Sequence, residues 1–191
     1  MFQGKKIAFC VTGSFCTLNK ILQPLCDLKE AGAEIQPIFS DIVFQTDTRF
    51  GTAKKWKKEI SEICGKDVWD SIPKAEPIGP KNLFDCTVVA PCTGNTLTKI
   101  AMGITDSAPA MAVKATLRNG SPVVLAVSTN DGLSGSAKNI GALLDKKQIY
   151  FVPFGQDDPN KKPTSLVAHM EDIPKTVALA LEGRQIQPIL K

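Results

Sequence analysis

The stretch Val88-Val89-Ala90-Pro91-Cys92-Thr93-Gly94-Asn95-Thr96-Leu97-Thr98-Lys99-Ile100-Ala101-Met102-Gly103-Ile104-Thr105-Asp106 constrains the fold more than any other. Before Pro91 the residues are apolar and β-branched. After it, Leu97, Ile100, Ala101 and Ile104 recur at the i, i+3, i+4, i+7 spacing of a helix that buries one face. The pattern predicts a buried strand that breaks at Pro91 and passes through small polar residues into an amphipathic helix. Thr93 or Asn95 is placed to cap that helix, and its free amides and positive dipole end would face whatever lies beyond the strand. An ordinary capped turn has the same signature, so the junction by itself leaves an anion site and a plain turn both open.

The rest of the chain repeats this alternation. A buried strand is expected from Lys5 to Thr12, ending at Gly13-Ser14, followed by a helix from about Cys16 to Ala31. Leu18, Ile21, Leu22, Leu25 and Leu28 form its stripe, Pro24 suggests a kink or a late start, and Gly32 stops it. A second strand runs from Ala33 to Ser40, completing a βαβ unit for which a right-handed parallel crossover is expected. Further strands are predicted at Asp85–Ala90, Pro122–Val127 and Gln148–Val152, with helices near 53–64, 95–103, 107–118, 135–145 and 171–182. The fold class is therefore α/β: a single doubly wound, Rossmann-like or flavodoxin-like parallel sheet in three α/β/α layers. Ligands in such sheets bind outside the carboxyl ends of the strands. Three of these ends carry small polar residues: Thr12-Gly13-Ser14, Ala90-Pro91-Cys92-Thr93 and Ser128-Thr129-Asn130. Together with Ser40 they are expected to converge on one crevice. The segments Asp41–Gly51 and Pro153–Ser165 read as long irregular loops, either lids or plain surface. Residues 1–183 make one domain, and 184–191 form a C-terminal arm, loose or docked on a neighbouring protomer.

Composition excludes several function classes. At 191 residues one α/β domain buries roughly 70% of its unfolded surface without disulfides or metal. No apolar run approaches the ~18 residues a spanning helix needs. The start, Met1-Phe2-Gln3-Gly4-Lys5-Lys6, enters a strand at once and lacks the regions of a signal peptide, which predicts a cytoplasmic location. The six cysteines include no CxxC pair and the single histidine is His169, so no metal site is expected. Cys10, Cys26 and Cys86 read as small hydrophobes, whereas Cys92 at the helix opening is either a thiol with a lowered pKa or a small side chain making room for a ligand. A net charge of +4 does not indicate nucleic acid. Lys54-Lys55-Trp56-Lys57-Lys58 reads as the solvated face of a helix whose stripe is Ala53, Trp56, Ile60 and Ile63.

After the first strand stands Gly13-Ser14-Phe15-Cys16-Thr17-Leu18-Asn19-Lys20, which is neither GxGxxG nor GxxxxGK[ST] and gives no support to a dinucleotide or ATP cradle. Gly13 permits close backbone approach, and the Ser14 hydroxyl at the next helix opening suits a mononucleotide phosphate. Val11-Thr12-Gly13-Ser14 together with Pro91-Cys92-Thr93-Gly94-Asn95-Thr96-Leu97-Thr98-Lys99-Ile100-Ala101-Met102-Gly103-Ile104-Thr105-Asp106 resembles the homo-oligomeric flavin-containing cysteine decarboxylase superfamily over most of the chain. The resemblance implies FMN at the strand ends, with contacts at Gly13, Ser14, Ser40, Cys92, Thr93, Asn95 and Thr96. It aligns Val127-Ser128-Thr129-Asn130 with a later family segment, of which only Asn130 is kept, and it implies a homo-oligomer, trimeric or dodecameric, with flavin near the contacts between protomers.

The departures narrow the activity. No histidine precedes His169, against the early histidine of phosphopantothenoylcysteine decarboxylases, and Thr129-Asn130-Asp131-Gly132-Leu133 lacks the charged pair of flavin prenyltransferases. The chain is most similar to a branch from endospore-forming bacteria. For that branch the resemblance implies a flavoprotein working with a nicotinamide-binding partner chain in the mother-cell cytoplasm, forming pyridine-2,6-dicarboxylate from a dihydro- or hydroxytetrahydro-precursor. A dicarboxylate suits a guanidinium fork. Of the three arginines, Arg49 follows the second strand near the crevice mouth. Asn130 would orient the ring nitrogen or a carboxylate. Asp131 is either a base or part of a plain Asn-Asp-Gly turn. Two alternatives stay open: a non-catalytic FMN-binding partner protein, and an FMN-dependent decarboxylase of another carboxylate.

Overall fold

The computed structural model describes residues 1–191. Its first βαβ unit comprises β1 (Lys6–Val11), α1 (Leu18–Glu30) and β2 (Glu34–Phe39), and β1 pairs with β2 in parallel. Ile7 to Val11 are wholly buried, as an uninterrupted apolar run must be when helices cover both faces of a sheet. Pro24 sits inside α1 on its buried face without ending it, and a one-turn 3₁₀ segment, Phe15–Thr17, leads in. The chain leaves α1 through Gly32, whose φ of 98° suits glycine.

The segment read as an irregular loop after β2 is ordered. It forms α2 (Asp41–Gln45), and Asp47 Oδ1 accepts the Ala53 amide at 2.8 Å as α3 (Ala53–Cys64) begins. Ala53, Trp56 and Ile60 are buried and Lys54, Lys55 and Lys58 exposed, as expected of a solvated basic face. Two four-residue helices that periodicity did not predict, α4 (Ile72–Ala75) and α5 (Ile78–Lys81), precede β3 (Cys86–Cys92). The remaining elements are α6 (Gly94–Met102), α7 (Ala108–Arg118), β4 (Val123–Thr129), α8 (Ala137–Leu144), β5 (Ile149–Phe151), β6 (Phe154–Asp158), β7 (Lys162–Ala168) and α9 (Ile173–Leu181).

The architecture is the expected three-layer, doubly wound α/β/α sheet, with two corrections. First, β3 does not break at Pro91. It runs on through Cys92, and its register against β4 shifts between Val89 and Cys92 instead. Proline lacks the amide that would continue the ladder, so the pairing skips rather than ends. Second, the sheet is mixed. β2-β1-β3-β4 and β5 are parallel, but Pro153–Ser165 is no irregular loop: β6 and β7 form an antiparallel hairpin, and β7 pairs antiparallel with Ser128 and Thr129. β4 thus holds β5 along its first half and β7 at its end. Alternating polar residues and prolines hid this hairpin from a reading that looked for buried runs.

The C-terminal segment docks on its own chain. Phe154 donates its amide to Ile189 O at 3.0 Å, and Gln185 uses its side-chain amide to pair with both main-chain groups of Phe151 at 2.8 and 2.7 Å. No helix is long and apolar enough to cross a membrane.

Candidate functional site

The three polar strand ends meet. The Thr12 hydroxyl, following β1, donates to the Pro91 carbonyl at 2.7 Å and accepts the Thr93 amide at 3.1 Å, fastening the exits of β1 and β3 together. Thr93 is the N-cap of α6: its Oγ1 accepts the Thr96 amide at 3.2 Å and donates to the Thr96 hydroxyl at 3.1 Å. The amides of Gly94 and Asn95 have no intramolecular acceptor, as helix geometry dictates for a first turn. From the third strand end, the Ser128 hydroxyl lies 2.8 Å from that of Ser14, which accepts a bond from Thr17 Oγ1 at 2.8 Å.

Two cavities open on this floor and share Gly13, Thr93 and Asn95. The larger, of about 830 Å³, is lined by Ser14, Ser128, Thr129 and Asn130 among others; the smaller, of about 510 Å³, by Thr12, Ser40, Thr96 and Lys99 among others. Both volumes lie in the range of small-molecule and cofactor sites. The hairpin β6–β7 supplies Asp157, Lys162, Ser165 and Val167 to the larger cavity, and Phe50 comes from the loop after α2.

Most of the anticipated residues are therefore brought together. Gly13, Ser14, Thr93, Asn95, Ser128, Thr129 and Asn130 line the larger cavity, and Ser40 and Thr96 the smaller. Two are placed elsewhere. Cys92 is wholly buried within β3 and lines neither cavity, and burial pushes its thiol up to about 12, so the lowered pKa considered for it is corrected: desolvation outweighs the helix end. Arg49 is exposed on the rim, its guanidinium 4.8 Å from the centre of the Phe50 ring, while Phe50 and not Arg49 faces the cavity.

Asp131, weighed as a base, is made a weaker one by its hydrogen bonds. Thr129 Oγ1 donates to its Oδ1 at 2.5 Å and Ser136 Oγ at 2.9 Å, and these bonds, that from Thr129 foremost, hold the carboxyl below its ordinary pKa. This cluster packs so tightly on α6 that a Cβ on Gly94 would lie 2.6 Å from Thr129 Oγ1 and 2.9 Å from Asp131 Oδ1. Asn139, buried, donates to Thr98 Oγ1 at 2.8 Å and joins α8 to α6. The residues missed from sequence were Lys138, Asn139, Asp157 and Lys162. The first two were legible only as part of a predicted helix, and the last two lay in the unrecognised hairpin.

The donor set fits a flavin mononucleotide. Ser40 Oγ is buried without a partner, although it stands at the N-cap of α2, and it lines the smaller cavity beside Gly13, Asn95 and Thr96. An orphaned hydroxyl next to free amides suits a phosphate. Lys99 in the same cavity pairs with Asp106 at 2.9 Å. At Gly13 a Cβ would lie 2.8 Å from Cγ2 of the exposed Ile42, so the glycine keeps this narrow approach open without displacing that side chain.

Known proteins share this fold. The chain is 48% identical over 188 residues to the B subunit of dipicolinate synthase from Bacillus subtilis (strain 168), covering 98% of this chain and 94% of that one. A crystal structure of the corresponding dipicolinate synthase chain from Bacillus halodurans matches at a TM-score of 0.92 and 48% identity, over 100% of this chain and 97% of the other. The FMN-dependent cysteine decarboxylase SpaF shares the fold, with a TM-score of 0.68 at 17% identity over 95% of this chain and 99% of the other. A family model described as Flavoprotein matches residues 1–181, and with the anion-ready crevice at the strand ends this establishes that the chain belongs to the Flavoprotein family.

Proposed function

We propose that this chain is the FMN-binding component of an enzyme that forms pyridine-2,6-dicarboxylate, working with the nicotinamide-binding component of dipicolinate synthase on a dihydro- or hydroxytetrahydro-dipicolinate precursor in the cytoplasm of a sporulating bacterium. The observation that carries this reading is the 48% identity to a dipicolinate synthase chain along 98% of this one, joined to a crevice whose donors suit a flavin phosphate. Ser40, Gly13, Asn95 and Thr96 would hold the phosphate in place of Ser14, whose hydroxyl is already bonded to Thr17 and Ser128, and Ser14, Thr93, Ser128 and Thr129 would line the flavin's remaining polar edge. Cys92 contributes through the position it gives Thr93 and not through its thiol. Bound there, the flavin would supply a two-electron acceptor beside the ring that is to be aromatised. Asn130, exposed at the end of β4, faces the larger cavity and is the polar group offered to the substrate; Arg49 lines neither cavity and stands beside Phe50, which lines the larger one.

A second reading, a flavin carrier without turnover of its own, is favoured by one feature. Both carboxylates lining the larger cavity are already engaged, Asp131 by Thr129 and Ser136, Asp157 by Lys162 at 2.6 Å. One oxygen of each is thus already taken, and the bonds that hold the Asp131 carboxyl below its ordinary pKa make it a weaker base. Absorbance of the purified chain before and after FMN addition tests the cofactor, and a colourless protein that does not bind FMN would end the flavin reading. Dipicolinate formation, followed by absorbance with this chain, with its nicotinamide-binding partner and with the two mixed, separates the two roles. Full activity from the partner on its own removes the catalytic role, and activity only in the mixture supports it.

A further inference from the structure

Four charged side chains line the larger cavity: Asp131, Lys138, Asp157 and Lys162. Asp131 is satisfied by two hydroxyls, and Asp157 and Lys162 satisfy each other across the hairpin. Lys138 has no carboxylate within ion-pair distance. It also occupies the second residue of α8, whose first turn carries no acidic residue. A cation there works against the helix dipole, and the Asp131 carboxylate at the same helix end is already bonded to Thr129 and Ser136.

We propose that Lys138 is the carboxylate-binding, specificity-determining residue of the crevice, with Lys162 on the facing hairpin taking the second carboxylate of a cyclic dicarboxylate. This rests on the reading above that the crevice receives such a substrate. The guanidinium expected for this task is not part of the lining and stacks over the Phe50 ring, whereas both lysines line the cavity itself. Lys138 comes from α8 and Lys162 from β7, so the cavity offers one ammonium from each of two elements, one for each carboxylate of the ring. Lys162 need not give up Asp157, because an ammonium has three donors and one salt bridge uses only part of them. Asp157 instead keeps the Lys162 side chain over the cavity. Asn130 adds a neutral amide on the same wall as the β4 end.

The test is calorimetric titration of the full chain, with and without FMN, using pyridine-2,6-dicarboxylate and pyridine-2-carboxylate. Lys138→Gln is expected to weaken both acids by about tenfold or more, the usual scale for losing a charge-assisted bond. Lys138→Arg should restore most of that loss. Lys162→Gln should weaken the dicarboxylate and leave the monocarboxylate unchanged, and FMN binding, read by absorbance, should be the same in every variant. Equal affinity of Lys138→Gln and the unaltered chain for both acids overturns the assignment, as does failure of the unaltered chain to bind either acid. If no variant binds FMN but the acids still depend on Lys138, the flavin reading fails and the lysine assignment stands.

Discussion

The Thr12 hydroxyl accepts the Thr93 amide at 3.1 Å, and through this bond the first strand holds the first turn of α6 in place. The same hydroxyl donates to Pro91 O at 2.7 Å and is almost wholly buried. Thr12→Val keeps the shape but removes the partner of the half-buried Thr93 amide and a bond to the buried Pro91 carbonyl. We expect a loss of about 1–3 kcal/mol in denaturant unfolding, with weaker FMN binding in an absorbance titration. Unchanged FMN affinity would show that the fastening serves stability alone.

Gly94 and Gly141 are both helical glycines, yet they should respond in opposite directions. A Cβ at Gly94 meets Thr129, Ser136 and Asp131 at 2.6 to 2.9 Å, whereas one at Gly141 meets nothing within 4 Å. Gly94→Ala is expected to destabilise by about 1–3 kcal/mol through overpacking and to lower FMN affinity. Gly141→Ala, on the exposed side of α8, should stabilise by about 0.5–1 kcal/mol. Thermal or denaturant unfolding of the two single variants checks both signs.

Asp131 sets an acid limb on stability. Its folded pKa is depressed, chiefly by the Thr129 hydroxyl, from an ordinary value of 3.8. A depressed carboxyl contributes stability that is full above its unfolded pKa and is lost as pH falls through the lower folded value. Asp131→Asn should therefore be less stable than the unaltered chain above about pH 4 and converge with it in stronger acid. A difference between the two that does not narrow from about pH 5 to about pH 2 would exclude this assignment.

Thiol reactivity should divide by burial. Cys92 is fully buried and its thiol is pushed up to about 12, while Cys16 is exposed and lines the larger cavity. Mass spectrometry after brief iodoacetamide treatment of the native chain should find Cys16 alkylated and Cys92 unmodified. Prior saturation with FMN should slow the reaction at Cys16. Early labelling of Cys92 would mean that the end of β3 opens readily.

Elements with a strong period were read correctly because the local signal and the tertiary environment agree. Ile7 to Val11 and Val123 to Val127 are buried on both faces, so their apolar runs needed no context. Ser107 caps α7 and Thr52 caps α3 by local bonds written in adjacent residues. The hairpin β6–β7 escaped because its strands lie at an edge, with exposed residues and Pro163 among them, and their pairing partner is the end of β4, far back along the chain. The rim position of Arg49 escaped for a similar reason. A loop read as irregular carries no direction, and only the packing of Phe50 decides which side chain faces inward.

By itself the sequence determined the layered α/β fold and the three polar strand ends, because hydrophobic period and first-turn chemistry act over a few residues, and its motifs carried the family resemblance. Tertiary structure alone decided that Ser40 Oγ is left without a partner, that Asp131 is tied to Thr129 and Ser136, and that Lys138 has no ion-pair partner while Asp157 and Lys162 pair. Those outcomes depend on which groups meet across the crevice and how much water each loses, and neither quantity is set by neighbours in the chain.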